Sequence, residues 1–348
     1  MENVALIGIA LGKHSFHLHC QDKSGKALQR KKFTRTNLMQ FLATCPSTVV
    51  VMEACAGAHF MARRISDIGH EAKLISSQFV RPFVKSNKND FVDAEAICEA
   101  ASRPSMWFVQ PRTEVQQAMR ALHRARESLI RDKVKTTNQI NGFLLEFGIS
   151  LPVGDTVIKR LPLVLVEHEI PEYLSRLLMK LHAHYLYLVE QITELESELN
   201  QSIKTDDATQ RIMTIPGVGP ITASLLSSQL GDGKQFSCSR DFAASTGLFA
   251  ASTGLFAAST GLVPRQYSTG GKSTLLGISK RGDKNLRRLL VQCARSFMMR
   301  LEHQQGRLAE WVREQLSKKH SNVVACALAN KLARIAWAIT TNHNAYQA

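Results

Sequence analysis

The sequence predicts an α/β N-terminal third followed by a helical remainder, and three observations predict it. Apolar residues in the first third fall into short runs separated by turn chemistry and stretches of helical spacing. A leucine-rich stripe with steps of three and four dominates the middle, and glycine-containing turns separate amphipathic stretches in the last third. With 348 residues, 44% of them apolar, the chain has material for two or three packed domains.

Residues 4–9 form a short apolar run with the character of a buried strand. Residues 14–20 alternate, with Phe16, Leu18 and Cys20 on one face of a half-exposed strand. Asp22, Lys23, Ser24 and Gly25 are turn chemistry, and residues 27–33 return as a hairpin partner. A helix is expected over 37–43, and a valine-rich central strand over 47–52 that ends at Glu53. Residues 58–68 read as helix, 72–75 as strand and 90–101 as helix. A hairpin followed by alternating β and α elements is the order of an RNase H-like sheet, assigned to residues 1–112.

Residues 113–205 are expected to be helical. Leu178, Leu181, Tyr185, Leu188, Ile192, Leu195 and Leu199 mark three heptads, with Glu190, Glu194, Glu196 and Glu198 on other faces. Such a stripe serves either a coiled-coil dimer seam or an intramolecular hairpin with the helical region 115–145. Residues 206–348 form the third, mainly helical segment. Ile215-Pro216-Gly217-Val218-Gly219-Pro220 joins two helical stretches there, and the amides of Gly217 and Gly219 suit a phosphate in a helix-hairpin-helix element. Three identical copies of FAASTGL then follow at 242–248, 249–255 and 256–262. Perfect identity points to a recent in-frame duplication, with one copy in the original place and two added; the unit is too short for a solenoid.

Lys and Arg number 44 against 29 Asp and Glu, a formal net charge of +15, which suits a polyanionic partner. The seven cysteines include no CxxC pair, so neither a disulfide framework nor a zinc knuckle is expected. The N-terminus lacks a basic segment before its short apolar run, and no stretch of about 18 apolar residues is read. A cytoplasmic protein with no membrane partner is the expectation.

Two constellations carry chemistry. Glu53 follows the Val49-Val50-Val51 strand, and Asp90 and Asp93 are three apart on a helix. A strand-end carboxylate facing two helical ones suits one or two Mg²⁺ (or Mn²⁺) ions, hard cations that prefer oxygen. An RNase H-like frame calls for a fourth acid on the first strand, where Ala10 offers no ligand. The second constellation is the hydroxyl pair Ser268 and Thr269, before Gly270, Gly271 and Lys272, read as a flexible phosphate-holding loop. From Arg265 to Arg300 there are nine Lys or Arg and one acid, Asp283. Arg265, Lys272, Lys280, Arg281, Lys284, Arg287 and Arg288 are therefore candidate phosphate contacts, while Leu286, Leu289, Leu290, Cys293 and Phe297 face a core. A serine or threonine hydroxyl can attack phosphorus and keep the broken bond's energy in an ester, which suits rejoining.

IGI followed by a ligand position, MEACAG, KNDFVDAEA, IPGVGPITA and GLVPRQYSTGGK…GISKRGDKNLRRLL together resemble the DEDD-type insertion-sequence transposases of the IS110/IS1111 group, nearly end to end. The resemblance implies a RuvC-like domain, a coiled coil and a C-terminal transposase domain. It implies DNA cleavage and strand exchange through a covalent serine, on element ends and target. The implied assembly is a homo-oligomer, dimer or tetramer, with an element-encoded guide RNA. Carried over by position, the carboxylates are Glu53, Asp90 and Asp93, with the lost first acid at Ala10. The nucleophile falls in the pair before the glycines, Ser268 by preference for its less hindered primary hydroxyl and Thr269 second. The alternatives are a metal-dependent junction-resolving nuclease, a nucleic-acid-binding copy impaired by Ala10, and an RNA-binding regulator.

Overall fold

The computed structural model describes residues 3–85, 89–152, 154, 158–245, 266–269, 272–275 and 282–347, of which 244–245, 266–269 and 272–275 are described by backbone alone. The chain divides into two compact units, Met1–Gln117 and Ala118–Ala348.

The first unit runs β1 (Leu6–Leu11), β2 (Phe16–Gln21), β3 (Ala27–Phe33), α1 (Arg35–Ala43), β4 (Val49–Glu53), α2 (Ala58–Asp67), β5 (Glu71–Ile75), α3 (Ser77–Val80), α4 (Asp90–Ala101) and β6 (Phe108–Val109). The sheet order is β3-β2-β1-β4-β5-β6. β1 to β3 form an antiparallel meander, β4 and β5 run parallel to β1, and β6 closes the edge antiparallel. The hairpin followed by β/α alternation is thus present, as expected of an RNase H-like order. The β2–β3 turn forms because Asp22 Oδ1 accepts the amides of Ser24 (2.8 Å) and Lys26 (3.0 Å), while Gly25 takes a positive φ of 85°.

Two apolar layers flank the sheet. Ile7, Ile9, Leu18 and Met52 pack with Leu38 and Leu42 of α1 and with Met61, Ala62 and Ile65 of α2. On the other face Val51 and Ile75 pack with Ala96, Ile97 and Ala100 of α4. The approach of α4 to β1 is unusually close. A Cβ on Gly8 would stand 2.5 Å from the Ala94 carbonyl oxygen and 2.6 Å from Cys98 Sγ. One expectation is corrected here: β2 is buried along its whole length, not half exposed, because α4 covers the face that carries His17 and His19. β1 also runs two residues beyond the expected end, since its pairing with β2 continues to Leu11 opposite Phe16.

In the second unit come the body of α5 (Glu114–Leu145), α6 (Leu161–Glu167), α7 (Glu172–Thr205), α8 (Asp207–Met213), α9 (Pro220–Leu230), α10 (Ser239–Ser245), the hairpin β7 (Gln266–Thr269) and β8 (Lys272–Leu275), α11 (Lys284–Met299), α12 (Arg307–Leu316) and α13 (Ser321–Asn342). The first half of the α7 leucine stripe is satisfied within the chain. Leu178 and Tyr185 share a core with Ile140 and Leu144 of α5, and Arg126 Nε donates to Glu196 Oε1 at 2.8 Å. A separate C-terminal core gathers Ile212, Leu226, Phe242, Leu290, Phe297 and Leu328. The first two residues of the first FAASTGL copy belong to it, because Phe242 and Ala243 are fully buried and Phe242 meets Phe236 edge-on. Contrary to the sequence reading, α13 is long and apolar enough to cross a membrane by length and composition. It is 50% buried, as a core helix is.

Adding a methyl group at Gly8 should force α4 off the sheet. Gly8→Ala is expected to destabilise the first unit by about 1–3 kcal/mol through overpacking. Urea denaturation followed by circular dichroism reads this, and an unchanged midpoint would mean that α4 has room above β1.

Candidate active site and nucleic-acid interface

Strand register and alternation bring the expected acids to one end of one sheet face. In the parallel β1–β4 pairing Gly8 lies opposite Val51 and Ile9 opposite Met52, so the next positions are Ala10 and Glu53. Gly8 and Val51 both face α4, and side chains alternate along a strand, so Ala10 and Glu53 share that face. α4 begins over it. Asn89 caps the helix by accepting the Phe91 amide at 2.9 Å, and Asp90 and Asp93 occupy the first turn, where unpaired amides favour negative charge.

His17 belongs to the same place and was missed by sequence reasoning. It pairs with Ala10 across β1–β2, its ring is buried edge-on to Phe91 (4.7 Å), and its Nδ1 is 3.3 Å from Asp90 Oδ2. The signal was the His-Leu-His alternation at 17–19, which places both imidazoles on the face opposite Leu18.

A divalent ion needs several oxygens within bonding distance. Among the described residues no group of three His, Cys, Asp or Glu side chains is close enough to hold an ion, and position 10 contributes a methyl group. The donor set does not fit Mg²⁺ or Mn²⁺ as it stands.

Ser268 and Thr269 are the last two residues of β7, opposite Ser273 and Lys272 of β8. The expected flexible loop is therefore a hairpin, with the hydroxyl pair on a strand. Gly270, Gly271, Arg265, Lys280, Arg281 and the second and third FAASTGL copies lie outside the described residues.

The N-terminus of α11 is capped by Asp283, whose Oδ1 accepts the amides of Asn285 and Leu286 at 3.0 Å each. Of the expected phosphate contacts here, Lys284 is exposed and Arg287 half-buried. Arg288 is engaged within the fold, donating to Asn285 Oδ1 (2.9 Å) and to Glu127 of α5. Glu127 is buried and also accepts from Arg131 at 3.1 Å. Sequence reasoning passed over the α5 residues, although Arg120, Arg124, Glu127 and Arg131 recur at the spacing of one helical face.

Two further observations refine the interface. His123 of α5 is buried with Nε2 3.1 Å from Ser224 Oγ, and burial, helped by Arg126 and Arg120, lowers its pKa to about 4. The helix–turn–helix around Gly217 and Gly219 is present, and Gly217 is packed closely while Gly219 has open space beside it. Gly217 has a φ of 83°, and a Cβ there would lie 3.0 Å from the Cys293 carbonyl oxygen. The Gly219 amide donates to the Cys293 thiol, whose pKa burial raises.

A family model for DEDD-type IS110 transposases matches residues 7–149. The model described as "Transposase IS116/IS110/IS902 family" matches residues 209–253 and 250–309, two stretches that overlap inside the second FAASTGL copy. Among curated relatives, the chain is similar to the transposase for insertion sequence element IS1328 of Yersinia enterocolitica, 68% identical over 98% of both chains. It is also similar to a probable family 20 transposase of Pseudomonas aeruginosa, 37% identical over 99% of both. The transposase for insertion sequence element IS1111A of Coxiella burnetii is 36% identical over 100% of this chain and 92% of its own.

The buried imidazole gives a pH signature. With a folded pKa of about 4 against an ordinary value near 6.5, His123 binds fewer protons folded than unfolded between those values. Its stabilising contribution is present above pH 6.5 and is lost as pH falls toward 4, by roughly 3 kcal/mol. Denaturant midpoints of the parent chain and of His123→Gln at pH 7.5, 5.5 and 4 should differ by that pH-dependent amount. A ring titrating near 6.5 by NMR would contradict it.

Proposed function

Because the chain belongs to the transposase family of IS110/IS1111-type insertion sequences, we propose that it acts on DNA as a strand-exchanging recombinase whose nucleophile is the Ser268 hydroxyl. Ser268 Oγ bonds to phosphorus, the phosphorus–oxygen bond to the leaving sugar breaks, and the hydroxyl proton ends on the leaving oxygen. Attack by the incoming strand's hydroxyl reverses these changes and seals the junction. Thr269 is the second choice, and an element-encoded RNA and a second or further copy of the chain complete the proposed assembly. The three segments 1–112, 113–205 and 206–348 would then carry the carboxylates, the pairing helices and the nucleophile respectively.

The observation that best supports this reading is the placement of Glu53, Asp90 and Asp93 on one face around position 10. With aspartate at position 10, that set would hold Mg²⁺ or Mn²⁺, which supplies charge stabilisation at a displaced phosphate when bound. Ala10 favours a second reading for the chain as it stands: a DNA-binding transposase with impaired cleavage. Phosphate recognition falls to Arg265, Lys272, Lys280, Arg281, Lys284, Arg287 and the exposed turn at Gly217 and Gly219.

Ala10→Asp should raise cleavage of labelled element-end DNA at least about tenfold, since even partners that merely orient ligands contribute 10–100-fold. A denaturation-resistant protein–DNA adduct should appear with it, vanish on adding Ser268→Ala and persist with Thr269→Ala. Equal cleavage with and without Asp at position 10 would show that this position is not a ligand site. Strong cleavage with no adduct would select the junction-resolving nuclease instead. Deleting residues 249–262 keeps the buried first copy, so the variant should melt within a few degrees of the parent and cleave at least as fast in the Ala10→Asp background. Loss of the folded C-terminal core on this deletion would contradict the placement of the added copies.

A further inference from the structure

A cleft of about 490 Å³ lies within the second unit between α5 and the first turn of α11. Arg124 and Lys284 line it, both exposed and neither in an ion pair or hydrogen bond among the described residues. Arg120 lies in the same wall, with only 13% of its side chain exposed. It donates to Gln229 and stands 3.9 Å from Asp283 Oδ2, yet its Nε has no hydrogen-bond partner among the described residues. Arg288 Nε is buried and unpartnered in the same way.

The acids of this cleft are already committed. Glu127 accepts from Arg131 and Arg288, and Asp283 Oδ1 caps α11. Arg120, Arg124, Arg131 and Lys284 thus face two acids, and unused N–H groups remain. Burial, partly offset by Asp283 and reinforced by the like charge of Arg124, lowers the Arg120 pKa. An anion with several acceptor oxygens answers both the charge and the spare donors.

We infer that this cleft seats a backbone phosphate of a nucleic acid between Arg124 and Lys284, with Arg120 behind them. The inference rests on the nucleic-acid reading above and gives it a location. It also separates the roles of neighbouring cations. Arg288, turned to Glu127, fastens α11 to α5, whereas Lys284 one turn earlier is free to meet the ligand.

The test is titration of the full-length double variant Arg124→Gln/Lys284→Gln with fluorescent duplex DNA and, separately, an RNA hairpin, across a salt series. Both side chains are exposed, so the variant should melt with the parent. Affinity should fall about tenfold, and the slope of log K against log salt should become less steep by about one to two. The arm that loses affinity names the source of the phosphate. Lys23→Gln/Lys26→Gln on the β2–β3 turn removes the same charge elsewhere and should keep affinity within about twofold. Unchanged binding by the cleft variant, or an equal loss in the turn variant, would overturn the assignment while leaving the nucleic-acid reading intact. A parent chain that binds neither probe would overturn both.

Discussion

The close approach of α4 to β1 over Gly8 is the constraint on which the N-terminal unit depends. Only a residue without a side chain lets the Ala94 carbonyl and the Cys98 thiol come down onto the strand. That contact buries the second face of β2, and it brings the first turn of α4 to the end of β1 and β4. Asp90 and Asp93 then share a face with position 10 and Glu53. The methyl group at position 10 becomes consequential for this reason. It stands at the end of β1, on the sheet face that Glu53 shares and over which α4 begins.

Much of this was legible in the sequence because its causes are local. Alternation in residues 16–20, the Asx-type turn at Asp22 and the valine run into Glu53 each depend on a few neighbouring residues. The acid pair on α4 followed from helical spacing alone. His17 was not legible, since alternation tells which residues share a face but not whether a distant helix covers it. Gly8 carried the clue, but a glycine in an apolar run does not announce which helix will press on it. The α7 stripe behaved similarly. Its heptads specified an apolar seam, and only the fold shows Ile140 and Leu144 of α5 meeting its Leu178–Tyr185 end within one chain.

In the C-terminal unit, charge reading from sequence found the basic region but not its division of labour. Glu127 reads as a surface acid on a long helix, yet it is buried and holds Arg131 and Arg288. A buried carboxylate is costly without its guanidinium partners, because its desolvation then goes uncompensated. Here it fixes α11 against α5, and the cations left free around that joint form the basic cleft. Phe242 of the first FAASTGL copy is seated in the C-terminal core, and the added residues enter the chain between that anchor and the β7 hydroxyls.

Metal uptake tests the proposal that aspartate at position 10 would complete a carboxylate site more directly than any assay of DNA chemistry. Electron paramagnetic resonance of Mn²⁺ reads it without substrate or partner. Ala10→Asp should bind the ion at least about tenfold more tightly than the parent chain, and adding Glu53→Gln should abolish that gain. Equal affinity in the parent and Ala10→Asp chains would show that position 10 has no part in a metal site.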